Sequence, residues 1–183
     1  MTTETTAPLA VITVTYNPGE YLARFLDSLP DAGANGTQVV LADNGSTDGI
    51  PEAAAAETED VHFLDTGGNI GYGAGMNAGA RWVRENQRVD DEFFLISNPD
   101  ATFSEGAIDQ MIACARRWPD AAAVGPRIVE PDVSNYPSAR SVPNISTGIG
   151  HALFSNLWPS NPWTRTYRND ADMSVQRLSL IHI

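Results

Sequence analysis

Residues Leu9 to Tyr16 (LAVITVTY) form a near-continuous apolar, β-branched run. Such a run predicts a strand buried on both faces of a parallel sheet. Asn17-Pro18-Gly19 ends it. Tyr21, Leu22, Phe25, Leu26 and Leu29 then recur at helical spacing as far as Pro30, which predicts a helix packed back on the sheet. The alternation repeats. Val39 to Ala42 predicts a second strand, followed by the turn cluster Asp43-Asn44-Gly45-Ser46 and a short alanine-rich helix near Glu52 to Glu57. Val61 to Leu64 predicts a third strand, then a glycine-dense loop and a helix through Trp82 and Val83. Phe93 to Ile96 predicts a fourth, closed by Ser97-Asn98-Pro99-Asp100. Ile108, Met111, Ile112, Ala115 and Trp118 give the next amphipathic helix, with a short strand expected around Ala122 to Val124.

Four such alternations predict an α/β, Rossmann-like, doubly wound layer with a mainly parallel sheet over residues 9–130. Residues 1–8 are expected to be a flexible lead-in. From Pro131 the pattern loosens. Tyr136-Pro137-Ser138-Ala139-Arg140 and Asn156 to Trp163 are rich in Pro, Ser, Asn and Trp without a clear period. Residues 131–177 read either as long loops on the acceptor side of a site or as a partly disordered connection. Phe154, Trp158 and Trp163 suit stacking on sugars, contact with a membrane surface, or packing on a further part of the domain. Residues 178–183, LSLIHI, match the reading-frame translation of a transposon adaptor used in sequencing libraries. The natural protein is therefore expected to continue beyond Arg177, with the layer truncated at its C-terminus.

Composition narrows the chemistry. A chain of 183 residues with 42% hydrophobic residues suits one domain with a real core. The net charge is −12, and all eleven basic residues are arginine. Without lysine there is no Walker-type phosphate loop. The acidic balance argues against nucleic acid as a partner, since no basic stripe is available to displace counterions. An acidic protein handling a phosphorylated ligand needs a metal ion between the two sets of negative charge. Cys114 is the single cysteine, so no intrachain disulfide forms, as suits a reducing cytosol. It lies on an apolar helix face and reads as a buried thiol. Met1 to Ala7 lack a positive n-region and an apolar core, and no run reaches transmembrane length, so a cytoplasmic location is expected.

In doubly wound sheets, ligands bind beyond the carboxyl ends of the strands. Asn17, Asp43, Asn69 and Asp100 follow strands one to four. Any one of them alone makes a turn; four on one edge point to a shared crevice. Asp43 can accept from a pyrimidine ring N–H or a ribose hydroxyl, presented by the Asn44-Gly45 turn, with Ser46 or Asp48 capping the next helix. The segment Gly67-Gly68-Asn69-Ile70-Gly71-Tyr72-Gly73-Ala74-Gly75-Met76-Asn77-Ala78-Gly79 is costly as helix, at about 1 kcal/mol per interior glycine. Either a ligand or a packed element must approach its backbone, and a helix N-terminus there favours a diphosphate. Asp100 in Asn98-Pro99-Asp100 is placed as a ligand for Mg²⁺ or Mn²⁺ together with substrate phosphates, or as an Asx-type turn leading into Ser104-Glu105. Bound there, the cation would offset diphosphate charge and stabilise it as a leaving group.

The order VTYN, ADNGSTDG, GGNIGYGAGMNAG, SNPDATFSEGAID resembles the rhamnosyltransferase branch of the family 2 glycosyltransferases over roughly residues 9–130. VGPRI, YPSAR and NPWTRTYR resemble its actinobacterial members, which act on N-acetylglucosamine carried by decaprenyl diphosphate. The resemblance implies a GT-A-type layer and an inverting transfer of L-rhamnose from dTDP-rhamnose. It implies a nucleotide-sugar donor and a lipid-linked acceptor as partners, with the longer enzyme peripheral to the inner membrane face. It places Thr15, Tyr16, Asn17, Asp43 and Asn44 at the nucleotide, and Asn69, Gly71 and Asn77 by the donor. Asn98 and Asp100 stand where the family carries its metal-binding triplet, with the first carboxylate replaced by Asn98. The family's carboxylate base lies in a later segment, beyond Arg177. His151 and Asp170 are not in a base motif and read as surface-loop residues. The 183 residues are thus expected to bind a nucleotide and transfer no sugar. Two other readings remain: a sugar nucleotidyltransferase, which lacks support because Asn17-Pro18-Gly19-Glu20 carries no Arg or Lys, and a non-catalytic binding module. Neither the acceptor nor the oligomeric state is legible.

Overall fold

The β-branched run at the start of the chain forms β1 (Leu9–Thr15), every residue of it buried. It is followed by α1 (Tyr21–Ser28), β2 (Thr37–Asp43), α2 (Ile50–Glu57), β3 (Val61–Asp65), α3 (Tyr72–Asn86), β4 (Phe94–Ser97), α4 (Ala107–Arg117), α5 (Ile145–Phe154) and α6 (Pro162–Arg168). The computed structural model describes residues 8–33, 36–86, 89, 92–129 and 145–168. The chain divides into two compact units, Met1–Ala113 and Cys114–Ile183.

In the first unit the four strands are all parallel, in the order β3-β2-β1-β4. Alternate residues of a strand face opposite sides, and both sides of β1 are covered. Leu9 and Val11, with Val39, Leu41 and Val61, pack against Leu22, Phe25 and Leu29 of α1 and Ile108 of α4. Ala10, Ile12 and Val14, with Val40 and Ala42, pack against Met76 and Val83 of α3. Full burial of a side chain such as Phe25 or Ile12 contributes about 2 kcal/mol. After β3 the chain crosses back through α3 and forms β4 on the far side of β1. The winding direction reverses between β1 and β4, so the crevice expected of a doubly wound sheet lies at their carboxyl ends.

The fourth apolar run forms its strand, at the edge of the sheet, with Phe94 58% and Ile96 50% exposed, while α3 packs mainly over β1 and β2. Two expectations change. Residues 122–124 form no strand. The three apolar residues are confined between the Pro119–Asp120 turn and Gly125-Pro126, and two of them are alanine, which is poor in strands. Residues 145–154 and 162–168, expected as loops, are helical. Asn161 caps α6 by accepting the Thr164 amide at 2.8 Å, with Pro162 at the first helical position. Residues 136–140, Asp170 and 178–183 lie outside the described residues.

Among the described residues one buried side-chain group is left unmatched: the Thr13 hydroxyl, in a residue of 0% exposure, has no hydrogen-bond partner. Valine has the same shape without the hydroxyl. Thr13→Val is expected to stabilise the fold by about 1 kcal/mol in urea denaturation, and a loss of stability would show that the hydroxyl is engaged.

Candidate functional site

At the carboxyl edge of the sheet, Thr15 pairs with Asp43 in strand register. The Thr15 hydroxyl donates to Asp43 Oδ1 at 2.6 Å. Ser46 Oγ also donates to Oδ1, while the Gly45 and Ser46 amides donate to Oδ2 at 3.1 and 2.7 Å. Asp43 is 2% exposed. Burial opposes its ionisation, but the Ser46 and Thr15 hydroxyls and the two amides outweigh that and hold its pKa below the ordinary carboxylate value.

The same loop is laced to the turn after β1. Asn17 sits at φ 48°, a left-handed conformation that asparagine tolerates. Its amide donates to Ser46 Oγ at 2.9 Å, and its Oδ1 accepts the Thr47 amide at 2.8 Å. Gly19 donates its amide to Asp48 Oδ2 at 3.3 Å, and Asp48 Oδ1 accepts the Ile50 amide at 3.1 Å where α2 begins.

The turn after β3 joins through Thr66. Its hydroxyl lies 2.7 Å from the Asp43 carbonyl, 2.9 Å from Asn44 Oδ1 and 2.8 Å from the Gly68 carbonyl. Gly45, at φ 88°, lets the two turns close: a side chain there would start 3.4 Å from the Gly68 Cα. Asn69 Oδ1 accepts the Gly71 amide at 3.1 Å and shapes the entry to α3.

Beyond β4, Asp100 is exposed. Partial burial first, and then the Asp100 charge, raise the Tyr72 hydroxyl above its ordinary pKa. The glycine-rich run follows β3 and Asn98-Pro99-Asp100 follows β4, both at the carboxyl edge of the parallel sheet.

The predicted residues sort by burial. Thr15, Asp43 and Asn44 are buried, and their side chains are engaged in the internal bonds above. They build the rim. Tyr16, Asn17, Asn69, Gly71, Asn77, Asn98 and Asp100 are exposed. Thr66 and Tyr72 were not singled out from sequence. Tyr72 had a signal, as the one aromatic inside a glycine run; a single threonine after a strand carries none. The run itself serves two purposes. A side chain at Gly75 would start 3.0 Å from Val14 Cγ2, and one at Gly79 2.5 Å from Ile12 Cγ2, whereas nothing lies within 4 Å at Gly71 or Gly73. The two later glycines seat α3 on β1, and the two earlier ones leave its N-terminal backbone open. Among the described residues no group of three His, Cys, Asp or Glu is placed to hold a metal. A cation at Asp100 would need oxygen ligands from a bound substrate as well, which is usual for Mg²⁺. His151, expected on a surface loop, sits in α5 with Nδ1 3.1 Å from the Thr164 hydroxyl.

A profile of glycosyl transferase family 2 matches residues 10–175, nearly the whole chain. The chain belongs to glycosyl transferase family 2. Among curated relatives, the N-acetylglucosaminyl-diphospho-decaprenol L-rhamnosyltransferase of Mycobacterium tuberculosis is 44% identical over 174 residues, covering 88% of this chain and 54% of the relative. The low-salt glycan biosynthesis hexosyltransferase Agl10 of Haloferax volcanii is 25% identical over 148 residues, covering 79% of this chain and 45% of the relative. This family 2 chain thus spans about half the length of the curated relatives it matches. Among solved structures, S. aureus TarS 1-349 superposes with TM-score 0.48 at 22% identity, over 60% of this chain and 32% of that one. The mannosyltransferase PcManGT of Pyrobaculum calidifontis, in complex with GDP-Man and Mn²⁺, superposes with TM-score 0.49 at 23% identity, over 69% and 36%.

Proposed function

We propose that this chain is the donor-binding part of an inverting glycosyltransferase that moves L-rhamnose from dTDP-rhamnose to a lipid-linked N-acetylglucosamine, working at the cytoplasmic face of the plasma membrane. The observation that carries the donor-site reading is the hydrogen-bonded rim from Asn17 through Asp43 and Thr66 to the glycine-rich entry of α3, with Asp100 following β4 on the same edge of the sheet. A nucleotide lying along the edge would meet the turns after β1 and β2. Its diphosphate would reach the open backbone at Gly71 and Gly73, where the start of a fifteen-residue helix favours negative charge. Asp100 would hold Mg²⁺ or Mn²⁺ there, jointly with phosphate oxygens and with Asn98 nearby. The sugar and acceptor follow from the M. tuberculosis relative, whose name states both an L-rhamnosyl transfer and a diphospho-decaprenol carrier. The carboxylate base that deprotonates the acceptor is assigned to the part of the longer protein beyond this chain, so no transfer is expected from these residues alone.

Thermal unfolding with and without ligand tests the donor site. With saturating dTDP and Mn²⁺, Tm is expected to rise by about 5 °C, as it does for a ligand near a hundred times its Kd. UDP is expected to give less. Asp100→Ala is expected to remove most of the metal-dependent part. No shift with any nucleotide would leave a plain binding or structural domain.

A further inference from the structure

We propose that the hairpin of α5 and α6 is a docking element that lies on an anionic lipid bilayer. The inference deepens the reading of a lipid-linked acceptor by naming the surface that brings the protein to it. The hairpin is pinned from inside. Asn161, of 0% exposure, donates to the Trp158 carbonyl at 2.6 Å and to the Thr164 hydroxyl at 2.8 Å. Gly150 lies so close to Trp163 that a side chain there would start 2.4 Å from the indole Cγ, and Trp163 stacks on Phe154 with centroids 5.4 Å apart.

The outside is apolar. Ile149, Leu153 and Leu157, four residues apart, are 56%, 62% and 86% exposed. The helical bonds run on past α5, from the Ser155 amide to the His151 carbonyl and from the Trp158 amide to the Phe154 carbonyl, so the three lie in one row. Trp158 and Trp163, 53% and 40% exposed, flank it. A leucine at 86% exposure is costly in water and favourable in the headgroup–acyl boundary, where tryptophan also concentrates.

Charge selects the bilayer over other apolar partners. Residues 133–169 contain Arg140, Arg165 and Arg168 and no aspartate or glutamate, in a chain of net charge −12. Arg165 is exposed on α6. An acid-free, arginine-bearing stretch beside an apolar row fits anionic headgroups; the rest of the surface would be repelled by them. Among the described residues no helix is long and apolar enough to cross a membrane. The hairpin therefore lies in the interface plane.

The test is sedimentation of the 183-residue chain with vesicles of phosphatidylcholine alone, or with about a third phosphatidylglycerol. Binding is expected on the anionic vesicles. The double variant Leu153→Glu/Leu157→Glu is expected to lose it by tenfold or more, with its circular dichroism unchanged because both positions are solvent-facing. Arg165→Glu is expected to weaken it about tenfold. Arg24→Glu, an exposed arginine paired with Glu20 in α1, changes the net charge equally and is expected to leave binding intact. The proposal is overturned if the wild-type chain stays in the supernatant with both vesicles, or if the leucine variant binds as well as wild type. It also fails if light scattering shows a dimer that the leucine variant splits, since the row is then covered by a second copy. Sedimentation reads no sugar transfer. Its failure leaves the transferase reading standing, and absent nucleotide stabilisation leaves the membrane surface standing.

Discussion

Asp43→Ala is expected to cost the fold about 3 kcal/mol or more, although Asp43 stands at the ligand edge. Its carboxylate accepts from Thr15, from Ser46 twice and from Gly45. Alanine would strand the Thr15 hydroxyl in a residue of 0% exposure and release the turn that carries Asn44 and Thr47. Asp43→Asn should cost less, about 1–2 kcal/mol, since its amide oxygen can still take the two backbone amides while the hydroxyls reorient. The two variants also separate in acid. The folded pKa of Asp43 lies below its unfolded value. Its contribution is therefore complete above the unfolded pKa, about 3.9, and is lost as pH falls through the folded one. Urea denaturation between neutral pH and about pH 3 should show a steeper loss of stability in wild type than in Asp43→Asn. Equal slopes, or an Asp43→Ala protein as stable as wild type, would show that the carboxylate does not hold this corner together.

Gly79→Val is expected to be the most damaging single change in α3, at about 3 kcal/mol, and Gly79→Ala to cost about half as much. On helix propensity alone, alanine would gain about 1 kcal/mol over glycine. Here the added Cβ would meet Ile12 Cγ2 at 2.5 Å. Ile12 is 1% exposed and β-branched on the central strand, so it has no other rotamer to retreat to. The helix must lift off β1, and the packing of Met76 and Val83 goes with it. Gly73→Ala is the control: nothing lies within 4 Å, and the fold should be unharmed. If Gly73→Ala instead weakens the dTDP-dependent rise in Tm, the open glycine is where the ligand approaches. A Gly79→Val protein with wild-type Tm would mean that the β1–α3 contact is looser than described.

The elements themselves were legible in the residues. Leu9 to Thr15 could only be a doubly buried strand, and the helical recurrence of Leu22, Phe25 and Leu29 follows from one face packing on it. The glycine run was legible as a place of close approach, but not which approach. Gly75 and Gly79 answer to Val14 and Ile12, residues some sixty positions earlier that no local pattern connects to them. Where the reading failed, the local signal was short or weak. Residues 122–124 are two alanines and a valine, too short and too weak in strand preference to fix a strand by themselves. Residues 145–168 carry Ile149, Leu153 and Leu157 at helical spacing, but the row is short and runs into the Pro-, Ser- and Asn-rich stretch between two short helices, which hides it.

Burial periodicity and turn chemistry are local properties of the chain, so the alternation of strands and helices and the polar residues that close each strand can be read from the residues alone. How those strand-end residues divide is a matter of packing. The order β3-β2-β1-β4 sets Asp43 beside Thr15, where burial and four donors engage its carboxylate in the frame, and leaves Asp100 exposed after β4. Two aspartates that look alike in the sequence therefore differ in kind, since what a carboxylate can bind depends on how many of its lone pairs the fold has already taken.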